Sequence, residues 1–178
     1  EFCTITGRYK GHRISVVSTG IGPDNIDIVV NELDALANID LKTKEIRSEH
    51  RKLNLVRIGT SGSVQADIPV DSFVISEKSI GCDGVLRFYA NNESICDEKF
   101  EDAFIEHCQW TPQAARPYVV TSAPELVARL HDSQHTFKGV TLTAVGFYGP
   151  QGRVLRLPLA KPNINDRITA FRYNEYKV

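Results

Sequence analysis

Leu53-Asn54-Leu55-Val56-Arg57-Ile58-Gly59-Thr60-Ser61-Gly62 is the stretch on which the reading of this chain turns. A mostly apolar run, then an arginine and a Gly-rich polar segment, predicts a buried strand over 53–58 opening into a loop over 59–63. Open α/β sheets gather ligands at such an edge, because backbone N–H groups there are free to point at an anion. Arg57 adds a planar donor fork suited to an oxyanion and Thr60 adds a hydroxyl, while Gly59 and Gly62 allow close backbone approach. The same residues also make an ordinary strand-to-loop turn with a surface arginine. The Gly-x-x-x-x-Gly-Lys spacing of a nucleotide-triphosphate loop is absent.

A second segment, Phe147-Tyr148-Gly149-Pro150-Gln151-Gly152-Arg153, follows the strand-like Val140-Thr141-Leu142-Thr143-Ala144-Val145. Phe147 offers a face on which a ring can stack. Gln151 both donates and accepts, which suits an imide-like edge of alternating N–H and C=O. Arg153 can donate to a carbonyl oxygen that gains negative charge. The competing reading is a surface turn with Phe147 in the core and Arg153 in solvent. Thr19-Gly20-Ile21-Gly22 opens like a dinucleotide fingerprint, but Asn25 stands at the third glycine, so it reads as a strand-to-helix bend.

Outward from these segments, Phe2–Thr6 and Arg13–Ser18 read as strands joined by a turn at Tyr9-Lys10-Gly11-His12. Asp24 or Asn25 caps a helix with apolar positions Ile26, Val29, Val30, Leu33 and Leu36. Lys42 to Lys52 mixes charge signs and reads as a solvated helix or loop. Asp67-Ile68-Pro69-Val70 is a turn into a strand at Ser72–Ser76. Asp97–Cys108 is a helix with Phe100, Ala103, Phe104 and His107 on one face. Tyr118–Ser122 is a strand, and Pro124 starts a helix through Leu130. This alternation predicts an α/β layered fold with a largely buried sheet, in a single domain over residues 1–178.

At 178 residues and 42% apolar, the chain can bury a sizeable core. Net charge is −1 without a basic stripe, which argues against a nucleic-acid partner. No run approaches the roughly 18 apolar residues of a membrane span. Cys3, Cys82, Cys96 and Cys108 are scattered, without a Cys-x-x-Cys pair or metal-ligand spacing, and read as reduced thiols of a cytoplasmic protein. The five histidines and the single Trp110 read as surface or packing residues, and Asp83 as a turn cap. The chain has no Met, opens inside a strand-like segment and stops at Tyr176-Lys177-Val178, as a piece of a longer protein would.

Ser18-Thr19-Gly20-Ile21-Gly22, Arg57–Gly62 with the trailing Asp67-Ile68-Pro69-Val70, and Phe147–Arg153, in this order, resemble the nucleoside phosphorylase superfamily. The Phe-Tyr followed by Gln-x-Arg resembles its uridine phosphorylase branch. The resemblance implies a three-layer α/β/α sandwich around a central mixed sheet, incomplete here at both termini. It implies reversible phosphorolysis of uridine to uracil and ribose 1-phosphate in pyrimidine salvage, with inorganic phosphate as co-substrate. Arg57 and Thr60 would bind phosphate and carry the catalysis, with Thr60 also near the ribose. Ser61 and Gly62 would line ribose and base, Gln151 and Arg153 would hold the uracil edge, and Phe147 would close the ring pocket.

Members assemble as homo-oligomers, dimers or trimers of dimers, whose sites borrow residues across an interface. Bacterial members hold a monovalent cation, potassium, between subunits; those positions fall on Glu1, Ile21 and Asn25, with Asn25 replacing the family's Ser. The family's Gly-Asp-Pro-x-Arg phosphate loop, an Arg immediately before the position of Glu1, and a Glu-Met-Glu stretch that holds the ribose lie outside these residues. The stretches Asn38–Lys52 and Arg87–Trp110 are longer than in the best-known bacterial enzymes. A purine nucleoside phosphorylase or nucleoside hydrolase of the same fold, or a non-catalytic nucleoside-binding protein, are the alternatives. A hydrolase would not need Arg57, and purine enzymes would not need the Gln151/Arg153 pair.

Overall fold

Strand β1 (Thr4–Tyr9) turns at Lys10-Gly11 into β2 (His12–Val17), and the two pair antiparallel with Tyr9 opposite His12. Lys10 and Gly11 both take positive φ (48° and 82°), as a tight two-residue hairpin turn requires. The coordinates are a computed structural model and describe residues 2–178. Residues 1–59 and 60–178 form two compact units.

In the first unit, helix α1 (Pro23–Asn38) follows the hairpin. Its N-cap is Gly22 rather than Asp24 or Asn25, which lie in the first turn. Pro23 has the φ of a first helical residue, and Gly22 reaches φ 105°, so the chain enters the helix two residues earlier than its polar side chains suggest. Val29 is the buried apolar residue of α1, whereas Val30 and Leu36 are exposed.

The charged stretch that follows forms a short antiparallel ladder, β3 (Ile39–Asp40) against β4 (Glu45–Ile46). The Asp40 carboxylate accepts from the Lys42 and Thr43 amides at 2.9 and 3.4 Å, closing the turn and lowering its pKa. The stretch is solvated, as its mixed charge predicts.

Residues 53–58 correct the reading from which the sheet was built: they join no ladder and every one of them is exposed. The hairpin β1–β2 is likewise exposed along nearly its whole length. Apolar alternation specifies a residue's fitness for a sheet, but a strand exists only where another strand supplies hydrogen bonds.

The second unit holds a three-stranded mixed sheet in the order β6-β5-β7. Its central strand β5 (Phe73–Gly81) pairs antiparallel with β6 (Tyr118–Thr121) and parallel with β7 (Thr136–Thr143). Two short 3₁₀ turns, Val85–Phe88 and Asn92–Ser94, lead to helix α2 (Glu98–Cys108), and helix α3 (Pro124–Leu130) joins β6 to β7.

Asp97 caps α2, accepting from the Phe100 amide at 3.2 Å. Helix α4 (Ile164–Ala170) and the hairpin β8 (Arg172–Tyr173) with β9 (Tyr176–Lys177) complete the unit. Phe100 and Phe104, one helical turn apart, fill the core with Ile80, Val119, Val140, Ile168 and Phe171. Phe171 meets Phe104 edge-on at 5.2 Å.

One charged group lies at the centre of this packing. Glu101 is fully buried, and its carboxylate takes Arg87 Nη2 at 2.6 Å, Arg116 Nε at 3.5 Å and the Val119 amide at 3.1 Å. Arg87 also donates to Asn92 Oδ1 at 3.1 Å and to the Pro117 carbonyl at 3.4 Å, so the excursion 84–96 is tied to β6.

Candidate active site

The parallel pairing of β5 with β7 runs to Gly81 opposite Thr143, and the Cys82 amide donates to the Thr143 carbonyl at 3.0 Å. Both chains therefore leave the sheet at the same edge, the carboxyl end of parallel strands, where α/β folds bind ligands. From β7 the chain runs through Gly146 into Phe147–Arg153.

There Gly149–Gln151 forms a 3₁₀ turn, and the Gln151 and Arg153 amides both donate to the Tyr148 carbonyl, at 3.0 and 2.9 Å. Gly152 closes the turn at φ 69°, in the left-handed region that favours glycine. This tight loop brings Phe147, Gln151 and Arg153 together. Arg153 Nη1 donates to the Phe147 carbonyl at 2.7 Å and to the Gln151 side-chain oxygen, and its guanidinium lies 4.0 Å from the Phe147 ring centroid. Phe147 is 61% exposed, so the alternative of a core phenylalanine is excluded. The cluster offers a flat aromatic face, an amide edge and a cation in one place.

On the same edge, Tyr118 donates its hydroxyl to Asp83 at 3.0 Å, and Asp83 also accepts from the Val85 amide at 2.8 Å. Asp83 is thus the turn cap the sequence suggests, with a tyrosine added. Burial, helped by the Asp83 charge, pushes the Tyr118 hydroxyl well above its ordinary pKa and keeps it a donor. Gly81 is required here, since a Cβ would fall 2.1 Å from the Tyr118 ring.

Burial likewise raises the Cys82 thiol to about 12 and Cys108 to about 11, so neither is a nucleophile at neutral pH. His107 and His131 are engaged in hydrogen bonds at 3.0 and 2.9 Å, to the Arg167 carbonyl and the Thr136 hydroxyl, as packing residues are. Trp110 packs on Phe104 and donates to the Ala115 carbonyl at 3.0 Å.

Arg57 belongs to the first unit and Thr60, Ser61 and Gly62 to the second. All four are exposed. Arg57 has no hydrogen-bond or ion-pair partner among the described residues, and its guanidinium folds back over Gly59, where a Cβ would lie 2.8 Å from Nη1. Glycine at 59 is what gives it room.

Past Gly62, the buried Gln65 anchors the segment: its amide nitrogen donates to the Val178 and Thr169 carbonyls at 2.5 and 3.2 Å, and its oxygen accepts from Arg172 at 3.2 Å. Sequence reasoning passed over Gln65, because a glutamine between Val64 and Ala66 carries no pattern.

Among the described residues no group of His, Cys, Asp and Glu is placed to hold a metal ion. Asn25 and Ile21 lie together, with Asn25 Nδ2 donating to the Ile21 carbonyl at 2.6 Å. Glu1, the third residue of that expectation, lies outside the described residues. No helix among them is long and apolar enough to cross a membrane.

A strand-edge loop carrying aromatic, amide and guanidinium groups on a mixed α/β sheet is the candidate site of this fold. The chain belongs to the phosphorylase superfamily, whose sequence model matches residues 1–168. Its fold is similar to that of a Trypanosoma brucei nucleoside phosphorylase described as showing uridine phosphorylase activity. The TM-score is 0.77 at 24% identity, over 96% of this chain and 62% of that one. A structure from a study of two uridine phosphorylases of Phytophthora capsici matches at TM-score 0.53 and 22% identity, over 94% of this chain and 56% of that one.

In sequence, the chain is 42% identical over 72 residues to a DeoD-type purine nucleoside phosphorylase of Listeria monocytogenes, covering 40% of this chain. A Lactococcus lactis protein of the same name is 35% identical over 82 residues, 46% of this chain. These alignments span 25% and 30% of the curated relatives' lengths.

Proposed function

We propose that the whole protein is a uridine phosphorylase, a pentosyltransferase of pyrimidine salvage that converts uridine and phosphate reversibly to uracil and ribose 1-phosphate. The observation that carries this reading is the gathering of Phe147, Gln151 and Arg153 in one turn at the carboxyl edge of β7. A pyrimidine is flat and bears an imide edge. Phe147 takes its face, the Gln151 amide matches the N–H/C=O alternation, and Arg153 faces a carbonyl oxygen. Four free cysteines suit a cytoplasmic location.

In the reaction the glycosidic C–N bond breaks, its electron pair leaves with the base, and a phosphate oxygen bonds the anomeric carbon. Positive charge develops on the ribose and negative charge on the base. Arg57 and Thr60 hold phosphate beneath the anomeric carbon, where its charge also stabilises the oxocarbenium-like centre, with Ser61 and Gly62 beside the ribose. Arg153 and Gln151 receive the uracil anion, so a strong general acid is dispensable. A homo-oligomer, with active sites shared between copies, belongs to this reading.

A purine nucleoside reaction is the second reading, favoured by the identity to DeoD-type relatives. One assay separates them: base release from uridine and from inosine by the whole protein, with and without phosphate. Uracil release that requires phosphate is the expected result. Release without phosphate makes the protein a hydrolase, and hypoxanthine release without uracil release refutes the pyrimidine assignment.

A further inference from the structure

We infer that Asn165 is a positioning residue for base recognition, a deduction that rests on the role proposed for the Phe147–Arg153 turn. The side chains of Gln151 and Arg153 leave the backbone on either side of Gly152. The orientation of the Gln151–Gly152 peptide therefore sets where both of them point. A carbonyl at the end of a 3₁₀ turn has no partner within the turn and is free to rotate unless something holds it.

Asn165 holds it, its Nδ2 donating to the Gln151 carbonyl at 2.9 Å. Gly152 carries the second half of the contact. An added Cβ there would lie 2.6 Å from Asn165 Nδ2 and 2.9 Å from its Cγ, so the amide packs directly over the glycine.

Asn165 is itself well anchored. It sits in the first turn of α4, a helix whose residues Ile164 and Ile168 are buried in the core. The Asn165 side chain is exposed, and its donor goes to the recognition turn. Its role is specific in chemistry: a donor is required, because the partner is a carbonyl oxygen.

Aspartate at 165 has almost the same shape but places an acceptor against that oxygen. Asn165→Asp and Asn165→Ala in the whole protein should each raise the KM for uridine, by roughly three- to tenfold for loss of one neutral hydrogen bond and more for the aspartate. The KM for phosphate should stay unchanged. If Asn165→Asp leaves the uridine KM unaltered, or raises both KM values by one factor as a general loss of structure would, the inference is wrong. Should the unmutated protein cleave a purine nucleoside instead of uridine, the functional proposal falls. The same comparison run on that nucleoside then decides the role of Asn165 alone.

Discussion

Replacing Glu101 by alanine removes a fully buried carboxylate and strands the groups it serves. The Val119 amide, 3.1 Å away in the core, loses its acceptor; an unsatisfied buried N–H costs about 1–3 kcal/mol. The Arg87 guanidinium, whose side chain is 27% exposed, loses its counter-charge at 2.6 Å but keeps Asn92 and Pro117, so its share falls at the low end of a broken buried pair. Arg116 is 49% exposed and keeps Asp102 at 2.7 Å, so it adds little.

The sum is about 4–6 kcal/mol. With a urea slope of about 2 kcal/mol/M, the unfolding midpoint should fall by roughly 2–3 M, followed by far-UV circular dichroism. Arg87→Ala should cost less, since it leaves the carboxylate with the Val119 amide and Arg116, and Arg116→Ala less than about 1 kcal/mol. A loss below 1 kcal/mol for Glu101→Ala, or an Arg116→Ala loss equal to it, would refute the assignment of Glu101 as the centre of the network.

Arg57→Ala should raise the KM for phosphate by roughly 10- to 100-fold, the worth of a charge-assisted anion contact; an unchanged phosphate titration sinks that role. Arg153→Ala should lower kcat/KM for uridine by a similar roughly 10- to 100-fold while the phosphate KM stays nearly constant, and steady-state kinetics with each substrate varied in turn decide it. Burial opposes ionisation of Asp97, but the Lys78 ammonium at 2.9 Å and the Phe100 amide outweigh it and hold the carboxyl below its ordinary value. A depressed folded-state pKa contributes stability above the unfolded value of about 3.9 that is lost as pH falls through the folded one. Unfolding free energy should therefore drop below about pH 4, and Asp97→Asn should flatten part of that slope when urea melts at pH 7 and pH 3 are compared.

Helices α2 and α3 of the second unit were legible because their signals are local. Asp97 caps α2, Phe100 and Phe104 repeat at helical spacing, and Pro124 opens α3 where the sequence places it. Strand β5 was read short because Glu77 and Lys78 interrupt its apolar run. Lys78 is tolerated there because it reaches Asp97 and Thr121 and lies 5.9 Å from the Phe100 ring centroid. Glu101 on an amphipathic helix looks like a surface residue, since nothing nearby in sequence announces arginines 14 residues before and 15 after it. Residues 53–58 failed in the opposite direction, carrying a strong strand pattern without a neighbouring strand to complete it. Helix α4 escaped notice because its seven residues carry only Ile164 and Ile168 as core signal.

Residues Phe147–Arg153 show how the composition of a motif can be legible in a sequence while its resting geometry stays hidden. Sequence alone predicts an aromatic face, an amide and a cation for one ligand. In the structure these groups satisfy one another, with the Arg153 guanidinium 4.0 Å from the Phe147 ring centroid and hydrogen-bonded to Gln151. In the function proposed, a planar base that stacks on that face displaces the cation from it, and an exposed cation–π contact is worth only about 0.5–1 kcal/mol. On that proposal the exchange is inexpensive, because Arg153 need only trade a ring face and an amide oxygen for a carbonyl oxygen that acquires charge during bond cleavage. Its hydrogen bond to the base then strengthens as the transition state forms, which is where binding energy accelerates a reaction rather than merely tightening a complex. The backbone that carries the cation must stay fixed during that exchange, and the contacts at Tyr148, Gly152 and Asn165 are what hold it.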